Sequence, residues 1–130
     1  VRWGYTPESE DDPRQSVDLN KELIRHPVFA AYGLIVGQSL RDDAIDDGDS
    51  VLIDTILTPE RGDLAISYRQ GEFMIKYIMV KNGELWLTPG NSEYKPIRIS
   101  EEEDTRKLVW GVVVYSIKQL RKSDGKKRAA

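Results

Sequence analysis

Between Val28 and Ile117 the apolar residues come in seven short runs separated by polar turns, Phe29–Val36, Val51–Asp54, Asp63–Tyr68, Glu72–Met79, Glu84–Thr88, Ile97–Ile99 and Leu108–Ile117. Runs this short, alternating in twos, do not sustain the 3.6-residue period of an amphipathic helix, so they are predicted as strands. The turns carry their own signals: Asp47-Gly48-Asp49, Arg61-Gly62-Asp63, Gln70-Gly71, Asn82-Gly83 and Pro89-Gly90-Asn91. Asn82-Gly83 is the strongest, because the tight hairpin turn needs positive φ at both central residues. The pattern predicts a mostly β domain of strongly curved antiparallel sheets. Ahead of it, Asp18 is predicted to cap a short N-terminal helix that runs through Arg25 and stops at Pro27.

The 130 residues, 39% of them apolar, suffice for one core. Residues 1–16 hold Pro7, Pro13 and a run of acids with almost no apolar period, and are predicted as a flexible, extended N-terminal arm. The folded domain is expected over residues 17–121, followed by a basic disordered tail over 122–130. No apolar run approaches the ~18–20 residues of a membrane span, and no secretory start is present, so no membrane association is expected. The chain has no cysteine and a single histidine, His26. That excludes disulfide scaffolds, thiolate sites and imidazole clusters, and fits a cytoplasmic protein. The net charge of −3 divides into an acidic body and a basic C-terminal end, which argues against a broad nucleic-acid surface.

Two residues are out of place in a bland β domain. Ser39, in Gly37-Gln38-Ser39-Leu40, directly follows the apolar run Leu34-Ile35-Val36. A serine just past a glycine at a strand end can expose its hydroxyl while its own N–H is free to hold an oxyanion. Lys76 lies in Phe73-Met74-Ile75-Lys76-Tyr77-Ile78-Met79, where alternation places it on one face with Met74 and Ile78. Such a lysine either snorkels at an edge or is partly desolvated, and desolvation lowers the pKa of an amine toward that of a usable base. A neutral lysine can then deprotonate a serine with no histidine involved.

These residues carry a resemblance. Val17-Asp18-Leu19-Asn20 through His26-Pro27, then Gly37-Gln38-Ser39-Leu40, Asp47-Gly48-Asp49, Gly62-Asp63, Gly71-Glu72-Phe73 with Lys76, Asn91-Ser92-Glu93-Tyr94-Lys95-Pro96-Ile97 and Gly111-Val112-Val113 resemble the UmuD-like members of the LexA/UmuD family of self-cleaving serine peptidases. The resemblance runs from about residue 17 to residue 121, and the spacing of Ser39 and Lys76 matches the family's Ser/Lys dyad. It implies the LexA/UmuD peptidase fold, Ser39 as nucleophile and Lys76 as general base. It implies also self-cleavage of the N-terminal arm, stimulated by a recombinase filament on single-stranded DNA. The product would be a homodimer serving as accessory subunit of an error-prone Y-family DNA polymerase in the SOS response, with no cofactor and no metal. The family signature usually reads Gly-Asp-Ser-Met, whereas this chain has Gln38 and Leu40. The family cuts before a glycine that follows a small residue; here Gly4 falls at that position and Trp3 precedes it.

Two rivals share the fold. One is the C-terminal peptidase and dimerisation domain of a LexA-like transcriptional repressor; the 38 residues ahead of Ser39 are too few for a winged helix-turn-helix and linker, so it requires a fragment. The other is a cleavage-deficient binding module, for which Trp3 and Gln38 speak. Among the remaining signals, Asp42, Asp43, Asp46, Asp47, Asp49 and Asp54 fit no calcium loop, since a register from Asp43 puts Ile45 at a ligand position, and they are expected to form a solvated acidic turn. His26 is expected to face the last carbonyls of the helix. Glu101-Glu102-Glu103-Asp104 reads as a solvated loop, and Trp86 and Trp110 as packed strand residues. The run Leu108-Val109-Trp110-Gly111-Val112-Val113-Val114 is longer than one alternating face requires, so part of it is expected to meet a partner subunit.

Overall fold

The computed structural model describes residues 17–37, 40–100 and 108–121. The chain opens on helix α1 (Leu19–Leu23), capped by Asp18, whose Oδ1 accepts the N–H groups of Asn20 at 3.1 Å and Lys21 at 3.4 Å. The helix ends two residues before the expected Arg25, with Ile24 already extended. Pro27 contributes to the early stop: it has no N–H to bond the Leu23 carbonyl four residues back, and it opens a 3-10 turn of its own, Pro27–Phe29.

Seven strands follow: β1 (Ala30–Leu34), β2 (Ser50–Asp54), β3 (Leu64–Arg69), β4 (Glu72–Lys81), β5 (Glu84–Thr88), β6 (Ile97–Arg98) and β7 (Val109–Ile117). All seven predicted runs are strands, and they make one antiparallel sheet rather than several, in the order β1-β2-β7-β3-β4-β5-β6. The hairpins β3–β4 and β4–β5 turn on Gln70-Gly71 and Asn82-Gly83, with φ of 53° and 82°, and 54° and 76°. These are the paired positive angles that a two-residue hairpin demands. The register shifts at Leu52/Ile53 against β7 and at Ile66/Ser67 against β7, and each irregularity adds local bend and twist to the sheet.

The two faces carry separate cores. Ile35, Leu40, Val51, Ile53 and Leu64 form one cluster, with Ile66, Ile75 and Tyr77 packed against it. Ala65, Ile78, Leu87, Ile99 and Leu108 form the other, with Met74 packed against it. The consecutive residues Leu64, Ala65 and Ile66 alternate between clusters, as the two-residue period of a strand requires. In β7, Val112 is buried within the chain, whereas Trp110, Val114, Tyr115 and Ile117 stay exposed. The uncovered apolar surface thus lies mostly toward the C-terminal end of β7, beyond the centre of the run.

Candidate functional site

Strand β4 is only half paired on one side. β3 matches it from Glu72 to Tyr77, but β5 stops at Thr88, opposite Tyr77, so on that side no strand among the described residues pairs with Glu72–Lys76. β1 is the outermost strand at the other end of the sheet order, and among the described residues its second edge is unpaired too. The bent sheet brings these two edges to opposite sides of an open groove of about 400 Å³. Gly33, Leu34 and Val36 line one side, Phe73, Met74 and Lys76 the other, and Val51, Ile53 and Ile66 also line it.

Lys76 is half-buried at the point where β5 gives out. Its partner across the ladder is the fully buried Ala65, and no described carboxylate forms an ion pair with it. Burial alone acts on its amine and lowers the pKa from the ordinary lysine value. Over the amine lies the ring of Tyr94, with Nζ 5.7 Å from the centroid.

Ser39 and Gln38 lie outside the described residues, as do Trp3 and Gly4. The described residues on either side of Gln38-Ser39, Gly37 and Leu40, are each tied down. Gly37 has a φ of +91°, and its N–H donates to Asp47 Oδ1 at 2.8 Å. Leu40 is fully buried in the first core. After it, the Arg41–Asp43 turn is latched onto the segment following β5. Asp42 donates its N–H to the Gly90 carbonyl at 2.9 Å and accepts the Ser92 N–H on Oδ2 at 2.7 Å. Asp43 accepts from the phenol of Tyr77, and burial first, then this hydrogen bond and the Asp43 charge, push that phenol up to about 12. Gly90 sits hard against the turn: a Cβ there would come 2.7 Å from Asp43 Oδ2 and 2.8 Å from Leu40 Cδ2.

The acidic turn is solvated as expected at Asp42, Asp43, Asp46 and Asp47, but its carboxylates are also tied to the rest of the chain. Asp49, by contrast, is almost fully buried, and Lys118 Nζ reaches its Oδ2 at 2.7 Å and Asp46 Oδ2 at 2.6 Å. These carboxylates bind this chain's own N–H groups, phenol and ammonium. His26 also departs from expectation. Its Nδ1 meets Asp54 Oδ2 at 2.6 Å rather than the helix carbonyls, fastening the N-terminal segment to β2. Asp54 is held below the usual carboxylate range mainly by that hydrogen bond, with burial opposing it. Trp86 is half-buried, with Lys81 Nζ 5.8 Å from its ring centroid. Trp110 is half exposed, edge-on to Phe73 at 6.1 Å, and Phe73 in turn packs against Tyr68 at 4.8 Å. The Glu101–Asp104 run lies outside the described residues.

Comparison with known proteins gives this arrangement its context. The model of the peptidase S24-like family matches residues 1–114. The chain belongs to the peptidase S24-like family. Protein MucA of Salmonella typhimurium is 25% identical over 117 residues, which is 90% of this chain and 79% of that protein. Protein SamA of the same species is 27% identical over 121 residues, 93% of this chain and 82% of that protein. The LexA repressor of Leifsonia xyli is 38% identical over 63 residues, covering 48% of this chain and 28% of the repressor. The mostly β architecture with its short N-terminal helix agrees with the S24-like family, and with the LexA/UmuD resemblance of the sequence. Among the described residues, no helix is long and apolar enough to cross a membrane.

Proposed function

We propose that this S24-like chain is a UmuD-like autoprotease, in which a Ser39/Lys76 dyad cuts the N-terminal arm. The observation that carries the reading is a half-buried lysine with no acidic partner among the described residues, in a groove bordered by two strand edges that no described strand pairs. Unpaired edges accept an extended peptide through main-chain hydrogen bonds, and the apolar lining takes alternate side chains. The substrate is the N-terminal arm, residues 1–16, ahead of the domain of residues 17–121; residues 122–130 are a basic tail.

In the reaction, neutral Lys76 takes the proton from Ser39 Oγ as Oγ bonds to the carbonyl carbon of Trp3. The Ser39 N–H helps to hold the oxyanion. The bond to the Gly4 nitrogen then breaks, and Lys76 returns its proton to the leaving amine. Water hydrolyses the resulting ester, with Lys76 again as base. By family resemblance, a recombinase filament on single-stranded DNA stimulates the cut. The product is a homodimer that joins a Y-family DNA polymerase as its accessory subunit in lesion bypass. Matches to MucA and SamA over about nine tenths of the chain, and over about four fifths of those proteins, support this over the repressor reading, whose matches cover 48% to 78% of the chain and at most 50% of the repressor.

The test is to hold the chain, with its native N-terminus, at mildly alkaline pH and weigh the products. Loss of the residues before Gly4 in the wild type, and their retention in Ser39→Ala, is the expected result. Equal cleavage by both proteins means another nucleophile. No cleavage by either leaves the chain as a binding module, the reading that Trp3 and Gln38 favour.

A further inference from the structure

We propose that Tyr94 is a positioning residue for Lys76: its ring is the cover that keeps water from the amine, and the loop carrying it registers that cover to the segment after Ser39. The inference rests on the reading of Lys76 as general base, and adds the device that sets its state.

The geometry is built rather than incidental. Residues 89–94 leave β5 and fold into a turn around Asn91, which is almost fully buried. The Asn91 carbonyl accepts the Tyr94 N–H at 3.0 Å, and its Oδ1 accepts the Glu93 N–H at 2.9 Å. The same loop receives Asp42 through Gly90 and Ser92, three residues beyond Ser39. One short loop thus holds the ring over the base and anchors the turn at Asp42 that follows Ser39 in sequence.

Covering the amine has two opposed consequences. A π-face attracts an ammonium, which favours the protonated form, while exclusion of water favours the neutral amine. At 5.7 Å the nitrogen stands near the outer limit, about 6 Å, for a cation over a ring, so the attraction is at its weak end and exclusion decides the sign. The other groups around the amine are apolar: Met74 and Ile78 on its own strand face, and Ala65 across the ladder. Tyr94 is the titratable side chain facing it among the described residues, and no described acid or second cation reaches it.

The experiment measures filament-free self-cleavage against pH for the wild type, Tyr94→Phe, Tyr94→Ser and Lys76→Arg, with a thermal melt of each. Tyr94 is half exposed on a loop, so both of its variants are expected to fold. Tyr94→Phe keeps the ring, and is expected to keep the wild-type midpoint and a rate within about twofold. Tyr94→Ser admits water, and its midpoint should rise by about 0.5–1 pH unit. Below the midpoint the rate follows the neutral-amine fraction, so its neutral-pH rate should fall about 3- to 10-fold and recover above the new midpoint. A Tyr94→Ser profile that superimposes on the wild type, or whose midpoint falls, overturns the proposal, as does a Tyr94→Phe as slow as Tyr94→Ser. Lys76→Arg separates the two levels of argument. If it cleaves normally, the base assignment itself is wrong; if it is inactive while Tyr94→Ser matches the wild type, only the role of Tyr94 falls.

Discussion

Replacing Gly90 by alanine puts a methyl carbon 2.7 Å from Asp43 Oδ2, 2.8 Å from Leu40 Cδ2 and 3.1 Å from Leu40 Cα. The carboxylate can swing away, but only by leaving the Tyr77 phenol; Leu40 is fully buried, and its Cα belongs to the backbone, so neither yields without moving the turn. Overpacking of this kind costs about 1–3 kcal/mol. For a domain of this size that lowers the melting temperature by on the order of 3–10 °C. Against a total stability of about 5–15 kcal/mol the variant remains almost entirely folded at 25 °C. Any loss of cleavage beyond about 5% therefore reports displacement of the segment after Ser39 rather than unfolding. The expected outcome is a cleavage rate at least tenfold lower, on the order of 1.4 kcal/mol in the barrier, in a protein whose circular dichroism at 25 °C is unchanged. Chemical denaturation gives the stability, and mass analysis over time gives the rate. Unaltered stability together with an unaltered rate would refute the claim that the 89–94 loop is latched against the nucleophile segment.

Two further outcomes follow from the same geometry. Asp54 is depressed in the folded state, so its contribution is present above the ordinary carboxylate value and is lost as pH falls through the lowered one. His26→Ala removes the main cause, and its acid-unfolding midpoint, followed by tryptophan fluorescence, should move to higher pH; a coincident acid limb would contradict the linkage. Val114, Tyr115, Ile117 and Leu120 leave apolar surface exposed at the end of β7 and just after it, so sedimentation at tens of micromolar should give a dimer that Ile117→Glu weakens; a wild-type monomer would count against the homodimer.

The strand pattern was legible in the sequence because it is local. Alternation and paired turn residues act within a few positions, and Asn82-Gly83 announces its hairpin without reference to anything else. The helix end was less so, since Pro27 acts backwards on the residues before it. The site was legible only in part. Lys76 stood out as a cation in an apolar strand, and Ser39 as a serine past a strand-end glycine. Tyr94, Gly90 and Ser92 were read as resemblance or turn because their partners lie far away in sequence; Ser92 and Asp42 are fifty residues apart. The acidic turn is exposed as its composition suggests, but its tethers were hidden for the same reason. Composition registers six aspartates, but not that the partners of most, including Lys118, Tyr77 and the N–H groups of Gly37 and Ser92, come from distant strands and loops.

The central claim is that Lys76 acts as a neutral base, and the filament-free cleavage rate against pH tests it most directly. With the native N-terminus intact, the wild-type rate should climb tenfold per pH unit and level off at a midpoint below the ~10.4 of a free lysine, since burial lowers this amine. Lys76→Arg, protonated throughout that range, should show no cleavage at any pH. A Lys76→Arg protein that cuts its arm at the wild-type rate, with a profile unchanged by the substitution, would remove Lys76 from the chemistry and contradict the account.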